Sequence, residues 1–348
     1  MFKPVFPLLG LGALCLAPAA RAQNADPVAA LCGEGVCRPV ISQTTYRGRP
    51  AYRLTNGKDE AVVVPALGRV MRYGRVGGPN LLWNANTVSS APGDWKNFGG
   101  DKTWLSQQSY WKVMHGAKYG TWPPDPAFDG TPHVATVMSG GMLKLVSNTS
   151  PRLGIRLERV MYFNTRGEFV IQQTMLKTAG PPVRVGLWSI SQSDAPAAVL
   201  FPLSPNSPYR NNFYLFPGNT TNGAAQKVSV EGNVLTLLPQ QRGGGVKYGA
   251  DSPVVKLVAV KGRTAWLQSA AKPSGEYPDG AAGAGFPVEV YVNGDAGAPY
   301  VELELCGPLV DMFQGMQSTS TVRWSLSDLP SGNVSDAATR AAVVGLLK

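Results

Sequence analysis

Reactive side chains are scarce in this sequence of 348 residues, which contains two histidines and four cysteines. The common local motifs of catalysis and nucleotide binding are also missing: there is no GxSxG elbow, no P-loop, no HExxH motif and no dinucleotide fingerprint. The glycines at 243–245 are followed by no helical pattern, so they indicate a flexible turn and not a phosphate cradle. We therefore expect no metal ion and no other cofactor.

Long apolar runs and basic clusters are absent as well. After residue 22, no stretch approaches the ~20 apolar residues that a membrane-spanning helix needs. Lysine and arginine total 32 against 22 aspartates and glutamates, a formal net charge of +10, but they are scattered singly. We therefore expect no membrane span and no nucleic-acid partner. A diffuse positive surface suits attraction to acidic glycans or acidic envelope polymers.

The N-terminus has the pattern of a cleavable signal peptide. Lys3 supplies a short positive region, an apolar stretch follows over Val5–Pro18, and Ala20-Arg-Ala22 fits the small-x-small rule. Cleavage after Ala22 would give a periplasmic or secreted protein that begins at Gln23. A lipoprotein is the alternative because of Cys15, but Leu14 stands before it where that processing requires a small residue.

The remaining cysteines have different surroundings. Cys32 and Cys37 flank a short loop with two glycines, which favours a disulfide in an oxidising compartment. A metal site is the alternative, although no CxxC partner or nearby histidine completes it. Cys306 follows Leu305 on an apolar strand, and this position is typical of a buried small hydrophobe.

The body of the chain predicts many short strands joined by turns, because 40 glycines and 29 prolines separate short β-type runs. Apolar and polar residues alternate in Arg156–Phe163 and again in Glu168–Leu176. The turn-forming sequence Asn164–Gly167 lies between these two runs and predicts a β-hairpin. We predict an all-β, antiparallel sandwich over 49–330, preceded by an extension at 23–48 and followed by a C-terminal helix in 331–348. Ser335 and Asp336 can cap that helix, predicted over Ala337–Leu347. The other predicted strands are Ala51–Leu54, Ala61–Val64, Arg69–Arg75, Leu143–Ser147, Val183–Ser191, Lys227–Leu238, Val254–Val260, Ala265–Ser269, Val288–Asn293, Tyr300–Leu305 and Thr321–Leu326.

Residues 85–130 interrupt this series of predicted strands. So long an excursion in a compact β protein is usually functional or disordered. Its high content of aromatic residues, among them Trp104 and Trp122, argues against disorder.

Several motifs then give a resemblance that covers about residues 50–328. They occur in the order Pro65-Ala-Leu-Gly-Arg, Gly78-Pro-Asn-Leu-Leu-Trp, Gly99-Gly-Asp-Lys-Thr-Trp, Trp122-Pro-Pro-Asp, Leu187-Trp-Ser-Ile-Ser-Gln, Tyr277-Pro-Asp-Gly and Glu302-Leu-Glu-Leu-Cys-Gly-Pro. In this order they resemble an often secreted branch of the galactose mutarotase-like superfamily. The resemblance implies a large β-supersandwich with a sugar-sized cleft on one sheet face.

The resemblance implies a catalytic pair that this sequence only half matches. Mutarotases use a histidine acid on a middle strand and a glutamate base near the end of the chain. Glu304, or Glu302, fits the glutamate by position, and we take Glu304 as the candidate base. At the histidine position the sequence offers Trp188 and Gln192. His133 is the candidate acid, with a structural, hydrogen-bonded histidine as its alternative.

The candidate ligand-binding residues are aromatic or charged side chains within these motifs. Tryptophans offer flat surfaces to sugar rings, and charged groups beside them orient polar ligands; core packing and solvated loop charge are the alternatives. The candidates are Asp101, Lys102, Trp104, Trp122, Asp125, Trp188, Gln192 and Tyr277. The expected function is binding of a mono- or oligosaccharide, either neutral or acidic. The alternatives are an enzyme on the same scaffold, either an aldose 1-epimerase with a relocated acid or a glycan lyase or hydrolase, and a structural envelope protein with a vestigial cleft.

Overall fold

The computed structural model describes residues 39–86, 95–114, 120, 122–217, 226–281 and 284–348. The predicted signal peptide, the Cys32 and Cys37 pair and His115 lie outside these residues. In the described part of the chain, no helix has the length and apolar composition needed to cross a membrane.

Alternating side chains and frequent turns produce 21 strands in the described residues. In chain order they are β1 Val40–Tyr46, β2 Arg49–Thr55, β3 Asp59–Val64, β4 Arg69–Arg75, β5 Asp101–Ser106, β6 Val134–Met138, β7 Met142–Val146, β8 Ile155–Phe163, β9 Phe169–Lys177, β10 Val183–Asp194, β11 Ala198–Pro202, β12 Tyr214–Leu215, β13 Lys227–Glu231, β14 Val234–Leu238, β15 Val246–Ala250, β16 Val255–Lys261, β17 Thr264–Ala270, β18 Val288–Val292, β19 Tyr300–Cys306, β20 Val310–Met312 and β21 Gln317–Asp328. Helices are short apart from the last: α1 is Trp111–Met114, α2 is Ala337–Leu347, and 3₁₀ turns occupy Pro65–Leu67 and Gln108–Tyr110.

The strands form two antiparallel sheets. Sheet I has the order β1-β2-β3-β4-β5-β10-β19-β18-β15-β12, and β20 pairs with the start of β10. Sheet II has the order β13-β14-β11-β16-β17-β21-β9-β8-β7-β6. Apolar side chains from both sheets form one core, in which the rings of Tyr73, Phe169, Trp266 and Trp324 meet at centroid distances of 4.9–5.8 Å. The predicted all-β antiparallel sandwich is confirmed.

The C-terminal helix is confirmed at its predicted bounds. The side chain of Asp336 accepts hydrogen bonds from the backbone N–H groups of Ala338 and Thr339, at 2.9 and 3.3 Å, which satisfies two free donors of the first turn. Val343 and Leu347 pack against apolar residues of β11 and β16 on sheet II. The helix therefore covers part of the sheet that lies away from the site described below.

Two boundaries differ from the sequence prediction. The predicted strand Lys227–Leu238 is two strands, because Gly232 and Asn233 have φ of 58° and 59° and form the tight turn between β13 and β14. The predicted extension at 23–48 overlaps sheet I, since β1 pairs with β2 along its whole length. Strand β1 was not predicted because its sequence, Val-Ile-Ser-Gln-Thr-Thr-Tyr, is largely polar. An edge strand needs little apolar surface.

Candidate functional site

Strand register places the candidate site on the outer face of sheet I. In β10 the side chains of Trp188, Ile190 and Gln192 share one face because side chains alternate along a strand. Across the sheet, Ile190 lies between Lys102 on β5 and Glu304 on β19. The next strands continue this face with Glu289 and Tyr291 on β18 and with Lys247 on β15.

A cavity of about 450 Å³ opens over this face. Its lining consists of an aromatic wall and a charged floor: Trp95, Trp104, Gln108, Trp122, Trp188, Phe216, Pro217, Lys247, Tyr291, Tyr300, Glu302 and Glu304. The volume is within the range of small-molecule sites. We call it the central cleft.

The aromatic wall depends on one buried carboxylate. Asp129 accepts hydrogen bonds from the indole N–H groups of Trp95 and Trp104, both at 3.0 Å. It also forms a buried ion pair with Arg69. Burial alone would raise the pKa of the Asp129 carboxyl, but Arg69 and Lys102 offset this and the pKa is lowered. Asp129 therefore stays ionised and fixes the orientation of two tryptophans that line the cleft.

The exposed edge of the wall is formed by Trp122. Its ring lies 4.8 Å from that of Trp95 and 6.0 Å from that of Trp104, both edge to face. The Trp122 side chain is 47% exposed, which is high for so large an apolar group. An exposed indole held by two fixed neighbours offers a preformed flat surface to a ligand.

Glu302 accepts hydrogen bonds from two side chains at one side of the floor. Its Oε1 accepts from Lys102 Nζ at 3.2 Å and from Gln192 Nε2 at 2.9 Å. Lys102 is buried, and burial lowers the pKa of its ammonium group, although the charge of Glu302 works in the opposite direction. Lys102 Nζ also lies 4.8 Å from the centroid of the Trp104 ring. The predicted residues Lys102 and Gln192 thus meet at one carboxylate.

Glu304 lies at the centre of the floor within a second charged group. Its Oε2 accepts from Trp188 Nε1 at 2.7 Å and from Lys247 Nζ at 2.9 Å. Lys247 also pairs with Glu289 at 2.6 Å, and its Nζ stands 4.6 Å from the Trp188 ring centroid. One ammonium group therefore pairs with two buried carboxyls that face each other across β18 and β19.

Burial governs the protonation of this group. It raises the pKa of Glu304, and it raises that of Glu289 well above the usual range, although Lys247 opposes both shifts. Burial alone would lower the pKa of Lys247, but the two glutamates offset it and the pKa is raised well above its usual value. Glu289 and Glu304 are direct neighbours across β18 and β19, and both pair with the Lys247 ammonium group. The two carboxyls therefore titrate as a unit.

His133 contacts Gly68 and Thr131. The ring is buried against Gly68, where an added Cβ would meet it at 2.3 Å, and its Nδ1 is 3.2 Å from the carbonyl oxygen of Thr131. Burial lowers the pKa of His133 to about 4, so the ring is neutral at pH 7 and lacks the imidazolium proton that a general acid would donate. His133 is not among the residues that line the central cleft.

Three predicted ligand-binding residues have contacts outside the cleft. Asp101 points between the sheets, where it pairs with Arg159, because it neighbours Lys102 on β5 and alternation sends the two to opposite faces. Asp125 accepts from Ser150 Oγ and from the backbone of its own turn. The Tyr277 hydroxyl donates to the carbonyl of Pro273 at 2.9 Å. These partners hold each of the three side chains in place.

The described part of the chain contains potential metal ligands and one cysteine, Cys306. There, no group of three His, Cys, Asp or Glu side chains is arranged to hold a metal ion. Cys306 is buried and free, and burial followed by the charges of Glu289 and Glu304 raises its pKa well above the usual range. It is therefore a poor nucleophile.

Sequence reasoning missed Glu289, Trp95 and Asp129 as parts of the site. A signal for Glu289 was present, because a charged residue interrupts the apolar run Val288-Glu-Val-Tyr-Val. The contact between Asp129 and Trp95 could not be predicted from the sequence, since it depends on how residues 95–130 fold over sheet I.

The chain has the galactose mutarotase-like fold. The chain is similar to a proposed aldose 1-epimerase from Klebsiella pneumoniae, with a TM-score of 0.56, 9% identity, and 88% of each chain covered. It is also similar to a galactose mutarotase-like protein from Lactobacillus casei, with a TM-score of 0.50, 10% identity, and coverage of 82% of this chain and 100% of that one.

A third solved structure contains the same fold within a longer chain. A TPR-domain protein from Parabacteroides distasonis matches with a TM-score of 0.53 and 12% identity over 85% of this chain. This chain spans about half of that protein, 54% of its length. No protein-family model and no curated protein matches the sequence. At these identities the likeness shows the fold alone.

Proposed function

We propose that this protein is an exported carbohydrate-binding protein that holds a sugar unit in the central cleft. The observation that supports it most is the pairing of an exposed, fixed indole, Trp122, with a floor of hydrogen-bonded carboxylates at Glu302 and Glu304. A sugar ring has an apolar face that suits an indole and hydroxyls that donate to carboxylates. Export rests on the N-terminal sequence pattern.

The test measures sugar binding by Trp122→Ala. The protein lacking residues 1–22 is first screened by thermal shift against neutral monosaccharides, their uronic acids, and short oligosaccharides, and the best binder is titrated by calorimetry. We expect Trp122→Ala to weaken binding about fivefold to tenfold, because a stacked ring loses its partner. The fold should be retained, since the side chain is 47% exposed.

Phe313→Ala is the matched control, because Phe313 is another exposed aromatic residue, 52% accessible, and does not line the cleft. It should leave binding unchanged. Equal weakening by both variants, or no binding of any sugar by the unaltered protein, would refute the proposed function.

A sugar isomerase is the second candidate, and the raised pKa of Glu304 favours it. In anomer exchange a base takes the proton of the anomeric hydroxyl, the ring oxygen gains a proton, and the bond between the ring oxygen and the anomeric carbon opens to give the aldehyde. Glu304 can serve as the base. Lys247, the cationic residue that lines the cleft, has a pKa raised well above its usual value and is a weak proton donor. Lys102 is buried and is not among the lining residues. Binding alone therefore fits the site better.

Nuclear magnetic resonance exchange spectroscopy on a sugar that binds separates the two candidates. An isomerase would interconvert the anomers faster than buffer does, and Glu304→Gln would remove that acceleration while retaining binding. We expect no acceleration by the unaltered protein. A clear acceleration that Glu304→Gln abolishes would replace the binding proposal with the enzymatic one.

A further inference from the structure

A second, larger cavity adjoins the central cleft. It has a volume of about 790 Å³ and shares Trp95 and Tyr300 with the cleft lining. The rings of Tyr291, Tyr300 and Trp83 form a continuous line from one cavity to the other, with centroid distances of 6.4 Å and 4.8 Å. We call this second space the side cavity. The two cavities therefore share part of their walls.

The charge of the side cavity is opposite to that of the cleft floor. Arg47, Arg72 and Lys96 line it, and Asp194 is the acidic residue among its described lining. The Asp194 carboxylate is already paired with Lys261. Arg47 and Lys96 form no ion pair with any carboxylate of the described residues, and Arg47 is exposed. Arg47 donates one hydrogen bond, from Nη1 to the carbonyl oxygen of Ala85. Its other N–H groups and the ammonium group of Lys96 are thus available to a ligand.

Arg72 is held in place by existing contacts. Its Nε donates to Glu60 at 2.7 Å, and its Nη2 donates to the carbonyl of Gly78 at 2.6 Å. Glu60 is shared with Arg53, so the two arginines together leave an excess of one positive charge. The side cavity therefore combines a half-buried indole at Trp83 with a positive rim, a combination that recognises a ring carrying an anionic group.

We propose that the ligand of this protein is an acidic oligosaccharide, with one sugar unit in the central cleft and a neighbouring unit bearing a carboxylate in the side cavity. The proposal rests on the proposed function and adds the length and the charge of the ligand. The carboxylate meets Arg47 and Lys96, while Trp83 and Tyr300 contact the ring. The formal net charge is +10 for the full sequence and +8 once Lys3 and Arg21 are removed with residues 1–22. It draws such anions to the surface, and the side cavity selects among them.

The test compares a double variant with a control that removes the same charge. Arg47→Gln with Lys96→Gln deletes the two available cations of the side cavity. Lys58→Gln with Arg166→Gln deletes two exposed cations from turns outside both cavities. Calorimetry measures binding of galacturonate, glucuronate and mannuronate oligomers of one to four units, and of neutral gluco- and xylo-oligomers of the same lengths.

We expect the unaltered protein to bind an acidic dimer or trimer more tightly than its monomer and than every neutral oligomer. The side-cavity double variant should weaken acidic oligomers about threefold to tenfold and leave monomers within about twofold, because two partly exposed ion pairs are lost. The control should change neither.

Two results overturn the proposal, and they differ from failure of the proposed function. If the length and the charge of the oligosaccharide have no effect on its affinity, while Trp122→Ala still weakens the binding of a monosaccharide, then the side-cavity assignment alone is wrong. Equal weakening by the double variant and the control would likewise assign the effect to overall charge and refute the side cavity. If no sugar of any length binds the unaltered protein, both proposals fail together.

Discussion

Replacing Asp129 with alanine is expected to destabilise the protein by about 4 kcal/mol and to remove its sugar binding. Asp129 is buried, and it is the shared acceptor for Arg69 and for the indole N–H groups of Trp95 and Trp104. Its loss leaves a buried guanidinium without its carboxylate and two indoles without an acceptor. The aromatic wall would then lose its fixed orientation.

Urea unfolding followed by tryptophan fluorescence measures the change in free energy. Asp129→Asn should lose less than the alanine variant, because the amide oxygen keeps the shape and one acceptor. Asp295→Ala is the matched control: Asp295 is exposed and accepts one hydrogen bond, from Gly297 N in its own turn. A loss of less than about 1 kcal/mol for Asp129→Ala, as expected for the control, would contradict the supporting role of Asp129.

Replacing Lys247 with methionine is expected to cost about 4 kcal/mol at pH 7 and much less near pH 4. The change removes the only ammonium group that pairs with Glu289 and Glu304 in the described residues. Burial already raises the pKa of both carboxyls, and without Lys247 both values rise further.

The sign of the pH dependence follows from proton linkage. A carboxyl whose pKa is raised by folding binds its proton more tightly in the folded state than in the unfolded state. Its contribution to stability is complete below the unfolded pKa, near 4.5 for glutamate, and is lost as the pH rises through the folded value. The stability of Lys247→Met should therefore fall more steeply with rising pH than that of the unaltered protein.

Unfolding free energies measured from pH 4 to pH 8 check this expectation. Adding Glu289→Gln to Lys247→Met removes one of the two carboxyls and should recover part of the stability at pH 7. Lys144→Met is the control, because the Lys144 and Glu158 pair lies at the surface with side chains 31% and 22% exposed. It should cost less than about 1 kcal/mol. A pH-independent loss for Lys247→Met would refute the coupling of the three groups.

Local patterns in the sequence are enough to identify most of the strands. Two alternating runs and the turn Asn164–Gly167 predict the hairpin of β8 and β9, and its observed register joins Phe163 to Phe169. The same alternation predicts that Glu302 and Glu304 share one face of β19. Lys102 and Asp101 show the limit: their adjacency is visible in the sequence, but no strand is predicted for them within residues 85–130.

By itself, the sequence determined the all-β class, the capped terminal helix and the shared face of Glu302 and Glu304, because each depends on spacings of a few residues. Tertiary structure alone decided which groups meet. Strand β5 lies beside β10 although about 80 residues separate them, and β15, β18 and β19 bring Lys247, Glu289 and Glu304 together. Strand order and register are set by the burial of two whole sheet faces, a global free energy that no local pattern carries.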